Sequence, residues 1–208
     1  MIIEFCGLPG TGKTTVVQSV SRELKIPIVE IAGRGELLLL GAWFALKHPR
    51  LSTYTLYHIA RNSYSARMGY YKLVNCFLQR GAKYEKASRY PHALIIEGYW
   101  QNIIAIFEHE ERDEVLARYA RTFPSTHAML FVAGDAARTE RMFKRGRTVR
   151  EEFPQDRVTH WVRSSQRNSA RIEDLGQGHA HTIQADGEVD SVARRVVVAV
   201  CAVINTHI

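Results

Sequence analysis

Short apolar segments alternate along the chain with longer stretches of helical spacing. Five segments are apolar enough to form buried strands: Ile2–Cys6, Ile26–Ile31, Ala93–Glu97, Ala128–Val132 and, more weakly, His181–Gln184. Continuous apolar runs of this length are typical of parallel sheets, which are covered on both faces. The stretches with helical spacing are Lys13–Leu24, one or two helices across Glu36–Leu78 with a break at His48–Arg50, Trp100–Arg121, Ala136–Arg145, Gln155–Ile172 and Val189–Ile204.

This alternation of strands and helices predicts a three-layer α/β/α fold with a five-stranded parallel sheet. We find no internal repeat and no linker, so residues 1–208 are predicted to form one domain. The chain has 208 residues, of which 46% are apolar and 24% charged. This composition fits one packed globular unit and excludes disordered and low-complexity proteins.

Two apolar runs, Leu37–Leu46 and Val196–Ile204, are the longest in the chain. Both are shorter than the ~18 residues that a membrane-spanning helix needs. Either run fits a membrane surface or a buried helix face, and the α/β pattern favours burial, so no membrane partner is predicted. The stretch Val189–Ile204 packs either in the core or in a dimer face, which makes a homodimer possible.

The three cysteines, Cys6, Cys76 and Cys201, lie far apart in the sequence. Their odd number and wide spacing fit neither a disulfide framework nor a metal clamp. The segment before the glycine loop is too short for a signal peptide, and it carries a charged residue, Glu4, too close to its start. The sequence therefore predicts a cytoplasmic protein.

A complete G-x-x-x-x-G-K-T motif, Gly7–Thr14, follows the first predicted strand and opens the first predicted helix. This context distinguishes a true P-loop, the Walker A motif, from a chance match. The Lys13 ammonium is expected to reach the β- and γ-phosphates of ATP, and the Thr14 hydroxyl is expected to ligate Mg²⁺. The predicted nucleotide-binding residues of this segment are Gly7, Pro9, Gly10, Thr11, Gly12, Lys13, Thr14 and Thr15.

The third predicted strand ends in a carboxylate, Glu97. In parallel α/β sheets the ligand crevice lies at the carboxyl ends of the strands, so Glu97 is expected beside the P-loop. It is predicted either to hold Mg²⁺ through water or to orient the nucleophile, and an exposed strand-end glutamate without a function is the alternative.

The net charge of +7 is concentrated in residues 138–171, which hold ten basic and four acidic side chains. Arg138, Arg141 and Arg145 fall on one face of the predicted helix there. Three guanidinium groups repel one another unless an anion neutralises them, so a polyphosphate site is favoured over an exposed charge run. Residues 145–154, which include Arg147, are predicted to form a lid. The charge thus indicates a nucleotide rather than a stable nucleic-acid partner.

These elements together resemble the P-loop small-molecule kinases, especially the thymidylate kinase and deoxynucleoside kinase branch. Gly7–Thr14 matches their phosphate loop, and Thr139–Gly146 is similar to their lid-helix pattern. The resemblance implies a P-loop NTPase fold with strand order 2-3-1-4-5, with Arg141 near the adenine, and Arg145 and Arg147 near the phosphates. Asp186, in the turn Ala185–Gly187, resembles the residue that closes the adenine pocket.

The resemblance also suggests residues for the second substrate, the phosphate acceptor. Deoxynucleoside kinases carry a proton-accepting Glu after the second strand and an Arg a few residues later, which Glu30 and Arg34 resemble. They also carry an Arg directly after the third-strand Glu, where this chain has Gly98. The candidate catalytic residues are therefore Lys13, Glu97, Arg145, Arg147 and Glu30.

The acceptor pocket is expected in residues 36–92, where six residues recur at alternating spacings of three and four: Tyr54, Tyr57, Arg61, Tyr64, Met68 and Tyr71. A stripe with this spacing is typical of a buried helix face, but most of its members carry polar tips. The sequence therefore leaves two interpretations: the stripe is a buried helix face, or it lines the acceptor pocket. The candidate acceptor-binding residues are Glu30, Arg34, Tyr57, Arg61, Tyr64 and, as an aromatic wall, Tyr99.

The function predicted from these features is an ATP-dependent kinase that acts on a small-molecule hydroxyl or phosphate, nucleoside or nucleotide kinase-like. The alternatives are a nucleotide-switch protein and a P-loop ATPase without a small-molecule acceptor. Against the switch, the chain lacks an Asn-Lys-x-Asp motif and has Glu97-Gly98 in place of Asp-x-x-Gly. Against a nucleic-acid ATPase, the chain is short and residues 172–208 are net acidic.

Overall fold

The computed structural model describes residues 1–124, 126–135, 138, 155–176 and 178–206. At its centre lies a parallel sheet with the order β2-β1-β3-β4. Ile3 of β1 pairs with Leu94 on one side and His127 on the other, which makes β1 and β3 the inner strands. The strands are β1 Ile2–Gly7, β2 Ala93–Ile96, β3 His127–Val132 and β4 Ala180–Gln184.

The sheet has four strands among the described residues, so the prediction of five was wrong. The segment Ile26–Ile31 makes a single bridge, Ile28 with Leu94, at the outer edge of β2. The Val29 amide donates to the Leu94 carbonyl and the Leu94 amide donates to the Pro27 carbonyl, both at 2.9 Å. Pro27 has no N–H to extend the ladder, so the segment borders β2 without becoming a strand.

Ten helices are described, and a π-helical segment, Leu73–Leu78, joins α4 to α5. They are α1 Lys13–Leu24, α2 Arg34–Lys47, α3 Pro49–Arg61, α4 Ala66–Lys72, α5 Gln79–Ala87, α6 Gln101–Ala105, α7 Asp113–Ala120, α8 Gln155–Ala170, α9 Ile172–Leu175 and α10 Val189–Asn205. The predicted helix Trp100–Arg121 is two helices, α6 and α7. The chain is held directly after α6, because the Ile106 carbonyl accepts a hydrogen bond from the Lys72 ammonium. Most of the predicted helix Ala136–Arg145 lies outside the described residues. The predicted lid, residues 145–154, lies entirely outside them.

Two apolar clusters cover the two faces of the sheet. On one face, valines of α1 and α10 pack against Phe5 and Phe131 of the sheet. On the other face, aromatic side chains of α2 and α7 pack with those that follow β2, including Phe44, Tyr99 and Tyr119. The molecule is therefore an α/β/α sandwich around a parallel sheet, as the sequence predicted.

The two long apolar runs have different environments. The run Val196–Ile204 lies in α10, where Val196, Val200 and Val203 are buried. The run Leu37–Leu46 lies in α2, whose inner side with Leu40, Gly41 and Phe44 is the predicted buried helix face, while Leu38, Leu39, Trp43 and Leu46 on its outer side are exposed. Among the described residues, no helix combines the length and apolar character needed to cross a bilayer.

Lys72 is a fully buried cation that ties α4 to two other parts of the chain. Its ammonium donates to the carbonyls of Asn62 and Ile106, both at 2.7 Å, and lies 2.6 Å from the Glu108 carboxylate. Removing one partner from such a site leaves the other groups uncompensated.

We expect Lys72→Met to lower the free energy of unfolding by about 3 kcal/mol, measured by urea denaturation. Lys86→Met is the matched control, because Lys86 pairs with Glu36 at 2.8 Å near the surface. There we expect a loss of about 1 kcal/mol or less. Equal losses in the two variants would contradict the structural role of Lys72.

Candidate functional site

The P-loop connects β1 to α1 through three glycines with positive φ angles. The angles are 142° at Gly7, 83° at Gly10 and 85° at Gly12, a region that favours glycine. At Gly7 a Cβ atom would also lie 2.5 Å from the Phe131 carbonyl oxygen. Successive turns of this kind are typical of backbone nests that bind anions, and the N-terminus of α1 follows directly.

The side chains of the loop are held by contacts within it. The Lys13 ammonium is buried and donates to the carbonyls of Gly7 at 2.8 Å and Leu8 at 3.2 Å. The Thr11 hydroxyl also donates to the Leu8 carbonyl, at 3.0 Å. Thr14 and Thr15 lie exposed in the first turn of α1, which carries no acidic residue.

Glu97 follows β2 and lies beside the P-loop. Its amide donates to the Phe5 carbonyl at 2.9 Å, and its backbone has a positive φ of 61°. One carboxylate oxygen lies 3.7 Å from the Lys13 ammonium, and half of the side chain is exposed. Partial burial raises the pKa of Glu97, but the charges of Lys13, Arg80 and Lys83 outweigh it and hold the pKa below its usual value. Glu97 is therefore ionised at neutral pH.

This lowered pKa predicts how Glu97→Gln changes stability with pH. A carboxyl group whose pKa is lower in the folded chain contributes stability above its unfolded pKa, near 4.5 here, and loses it as the pH falls through the folded pKa. We expect Glu97→Gln to be less stable than the native chain at neutral pH, by about 1 kcal/mol or less because the group is half exposed. The difference should shrink in urea denaturation well below pH 4.5. A difference that grows in acid would contradict the ion pair.

A second carboxylate, Glu4, lies fully buried in β1 beneath this edge. It accepts hydrogen bonds from the Tyr84 hydroxyl at 2.8 Å and the Gln101 amide at 3.0 Å. Burial raises its pKa. The Gln101 side chain in turn accepts from the Gly7 amide at 2.9 Å, which links Glu4 to the P-loop through one residue. We did not predict Glu4 from the sequence, although a single acid inside an apolar strand is a visible signal.

Two cations of α5, Arg80 and Lys83, were also missed. Arg80 is buried and its guanidinium donates to the Asn102 side chain. The Lys83 ammonium donates to the Ile96 carbonyl at 2.6 Å, and burial lowers its pKa. Lys83 lies within electrostatic reach of both Glu97 and Glu30. The spacing of Arg80 and Lys83 in the sequence does not indicate a site, because only the packing of α5 brings them close to Glu97.

Gly98 has no room for a side chain. A Cβ atom there would lie 2.5 Å from a carboxylate oxygen of Glu4. A side chain at this position would therefore require Glu4 to move. Arg80 and Lys83 place positive charge near Glu97 from a different element.

We expect Gly98→Ala to lower the free energy of unfolding by about 1–3 kcal/mol through overpacking, measured by urea denaturation. Gly35→Ala is the control, since no atom lies within 4 Å of the Cβ built at Gly35. In α2 that change should stabilise the chain by up to about 1 kcal/mol. Equal stabilities of the two variants would show that Glu4 moves aside without cost.

The predicted acceptor residues do not all come together. Glu30 is exposed between the Ile28 bridge and α2, and its carbonyl accepts from Lys86 at 2.8 Å. Arg34 is the exposed first residue of α2. Because Ile28 bridges Leu94 in parallel, Glu30 and Glu97 come at the same end of two neighbouring segments.

The other acceptor candidates lie elsewhere. Tyr57 and Arg61 line a groove of about 520 Å³ that no P-loop residue lines. Tyr64 lies under the Arg157 guanidinium, 4.2 Å from its ring centre. Tyr99 is fully buried and stacks on Phe44, so the prediction that it forms an aromatic pocket wall was wrong. The turn at Gly98, packed on Glu4, leads Tyr99 into the core.

The remaining candidates concern the adenine and the lid. The Asp186 carboxylate accepts from the Gly134 amide at 3.0 Å, which joins the turns after β3 and β4. Arg138 donates to the Pro9 carbonyl at 3.3 Å and pairs with Asp135 at 2.7 Å. Arg141, Arg145 and Arg147 lie outside the described residues.

No group of three or more His, Cys, Asp or Glu side chains within the described ranges is arranged to hold a metal ion. The oxygen groups at the P-loop that suit Mg²⁺ are the exposed Thr14 hydroxyl and the ionised Glu97 carboxylate. A metal ion there would need further oxygen ligands from a bound nucleotide and water.

Comparisons with known proteins agree with this fold. The model of the ATPase family associated with various cellular activities (AAA) matches residues 3–43, which include β1, the P-loop and α1. A comparison with curated protein sequences finds no match.

Among solved structures, deoxyadenosine kinase from M. mycoides with products dCMP and a flexible dCDP bound superposes with a TM-score of 0.59. The identity is 13%, over 97% of this chain and 100% of that chain. The same enzyme with bound dATP has a TM-score of 0.58 at 13% identity, over 96% and 99% of the two chains. A shikimate kinase from Bacteroides thetaiotaomicron has a TM-score of 0.48 at 13% identity, over 94% and 96%. The chain thus has the α/β P-loop fold.

Proposed function

We propose that the protein is an ATP-dependent phosphotransferase that moves the γ-phosphate of ATP to a hydroxyl or phosphate oxygen of a nucleoside-like or nucleotide-like small molecule. The observation that carries the proposal is the pairing of Lys13 with the ionised carboxylate of Glu97, 3.7 Å apart, at the mouth of the P-loop. The overall superposition on a deoxyadenosine kinase supports it.

The P-loop holds the triphosphate. The backbone amides of Gly7–Lys13 and the N-terminus of α1 bind phosphate oxygens, and Lys13 binds the β- and γ-phosphates. Asp186 is proposed to border the adenine. Arg141 at the adenine, and Arg145 and Arg147 at the phosphates, remain predictions from the resemblance, because these residues lie outside the described ranges. Thr14 and Glu97 suit Mg²⁺, which when bound would neutralise part of the phosphate charge.

The transfer step forms a bond from the acceptor oxygen to the γ-phosphorus and breaks the bond from that phosphorus to the bridging oxygen, so that ADP leaves with the electron pair. An acceptor hydroxyl must also lose a proton. The lowered pKa of Glu97 makes it a weak base, so Glu97 orients the reacting groups. We assign the proton to Glu30, which follows the Ile28 bridge to Leu94 and so comes after the segment beside β2.

The second candidate function is a P-loop ATPase without a small-molecule acceptor. The match of residues 3–43 to the AAA family model favours it. It shares the P-loop and Glu97 with the kinase, but it transfers the phosphate to water. The two functions therefore differ in whether ADP release depends on an acceptor.

A coupled ADP-release assay with Mg-ATP separates them. The acceptors to screen are nucleosides, deoxynucleosides, their monophosphates, sugars and amino alcohols, with Lys13→Ala as the inactive control. We expect one acceptor class to raise ADP release well above the rate without acceptor. Equal release with and without every acceptor would favour the ATPase, and no release at all would contradict both functions.

We also propose a cytoplasmic location, because the three cysteines are free and two of them are buried. The homodimer remains a proposal, as does the absence of a stable nucleic-acid partner. Arg138 contacts the P-loop at the Pro9 carbonyl and is proposed to serve the nucleotide phosphates, whereas Arg167 and Arg171 pair with Glu110 and belong to a different part of the molecule.

A further inference from the structure

The outer side of α2 is an exposed apolar surface. Leu38, Leu39, Trp43 and Leu46, which we call the α2 patch, are 58%, 71%, 51% and 75% exposed. At 100° per residue they fall on one side of the helix. The opposite side, with Leu40, Gly41 and Phe44, is buried. A helix that is apolar on all sides is normally covered on all sides, so the α2 patch is expected to have a partner.

A concentration of positive charge adjoins the α2 patch. The end of α2, the start of α3 and the end of α7 enclose a groove of about 580 Å³. Its cationic lining residues, which we call the basic groove, are Lys47, Arg50, Arg118 and Arg121, and no carboxylate of a described residue lines it. Lys47 connects the two surfaces, because its ammonium lies 5.4 Å from the centre of the Trp43 ring.

Ion pairs among the described residues neutralise only part of this charge, although Asp113, Glu114 and Asp174 line a neighbouring groove together with Arg118 and Arg121. Lys47 pairs with Glu85 at 2.7 Å. In the part of the chain that the structure describes, Arg50, Arg118 and Arg121 make no ion pair, and all three are exposed. Arginines gathered around a groove without a carboxylate repel one another and attract an anionic surface.

We propose that the α2 patch and the basic groove together form a contact surface for a membrane that contains anionic lipids. Exposed leucines and a tryptophan beside a cluster of cations are the combination that binds an anionic lipid interface, with the apolar side chains at the acyl boundary and the cations at the headgroups. The 14 residues of α2 are too few to span a bilayer, so the helix lies in the plane of the interface.

A second copy of the chain is the other occupant to weigh. A two-fold contact through the α2 patch would cover its apolar side chains, but it would leave the basic groove at the end of α2 without an anionic partner, because no carboxylate of a described residue lines that groove. An anionic membrane instead satisfies the apolar and the charged parts of the surface at once. Charge complementarity therefore favours the membrane.

The test measures co-sedimentation of the full chain with vesicles of equimolar phosphatidylserine and phosphatidylcholine, and with vesicles of phosphatidylcholine alone. Trp43 supplies a second measurement, because the other two tryptophans, Trp100 and Trp161, are buried. We expect binding to the anionic vesicles, a blue shift of tryptophan fluorescence, and weaker binding as salt rises. No binding, or equal binding to both vesicles, would overturn the proposal.

Variants separate the two parts of the surface. We expect Leu39→Gln with Leu46→Gln, and separately Arg118→Gln with Arg121→Gln, each to weaken vesicle binding at least about tenfold. Val198→Gln and Arg194→Gln are the matched controls, since both residues are exposed on α10, and they should keep native binding. Equal losses in controls and test variants would overturn the proposal.

The oligomeric state decides between the two occupants. Light scattering gives the mass of the native chain and of the Leu39→Gln, Leu46→Gln variant in solution. A native dimer that becomes monomeric in this variant would assign the α2 patch to a second copy and overturn the membrane proposal. An unchanged mass together with lost vesicle binding supports the membrane.

Discussion

Replacing Lys13 with alanine is expected to abolish ATP binding without unfolding the chain. Lys13 is proposed to supply the ammonium that meets the β- and γ-phosphates, and the P-loop backbone alone cannot replace charge-assisted hydrogen bonds. We expect the affinity for ATP to fall at least about 100-fold, equivalent to about 3 kcal/mol. The measurement is calorimetric titration, together with the rise in melting temperature that ATP causes in the native chain.

The control for Lys13→Ala is Arg194→Ala, which removes an exposed cation from α10. It should bind ATP as the native chain does. Unchanged ATP affinity in Lys13→Ala would reject the P-loop as the nucleotide site. A melting temperature that rises with GTP but not with ATP would favour a nucleotide switch over the kinase.

Replacing Glu97 with glutamine is expected to lower turnover by about 100-fold or more while ATP still binds. Glutamine keeps the size of the side chain but removes the charge that faces Lys13 at 3.7 Å and that the three cations hold ionised. The lost interaction is therefore expected to lower the rate of phosphate transfer more than the affinity for ATP. Turnover is measured with the best acceptor found in the ADP-release screen.

The matched control for Glu97→Gln is Glu23→Gln, an exposed glutamate in the last turn of α1, which should keep native turnover. Full activity in Glu97→Gln would remove Glu97 from the mechanism. A loss that appears only as weaker ATP binding would show that Glu97 acts through the nucleotide site alone.

We propose different tasks for two carboxylates that the sequence could not separate. Glu97 and Glu30 both follow segments that meet at the carboxyl edge of the sheet. Only the structure shows three cations that lower the pKa of Glu97. A group held ionised in this way is suited to orienting partners and is a poor proton acceptor.

The sequence predicted the P-loop because its information is local. Three glycines at fixed spacing, an apolar strand before them and a helix after them specify the backbone of Gly7–Thr14 without help from the rest of the chain. The position of Glu97 followed from one general rule about parallel sheets. The strand at Ile26–Ile31 was overestimated, since Pro27 limits pairing at an edge in a way that apolar content does not reveal.

Other features depend on contacts between residues far apart in the chain. Arg80 and Lys83 reach the site only because α5 packs beside β2, and Tyr99 enters the core because Gly98 rests on Glu4. The apolar outer side of α2 also looks the same in the sequence as its buried inner side. The sequence by itself therefore determined the P-loop backbone and the sheet edge at which the site is proposed, because short-range geometry encodes both. The tertiary structure decided which charges surround Glu97 and which apolar face stays uncovered, because long-range packing alone sets them.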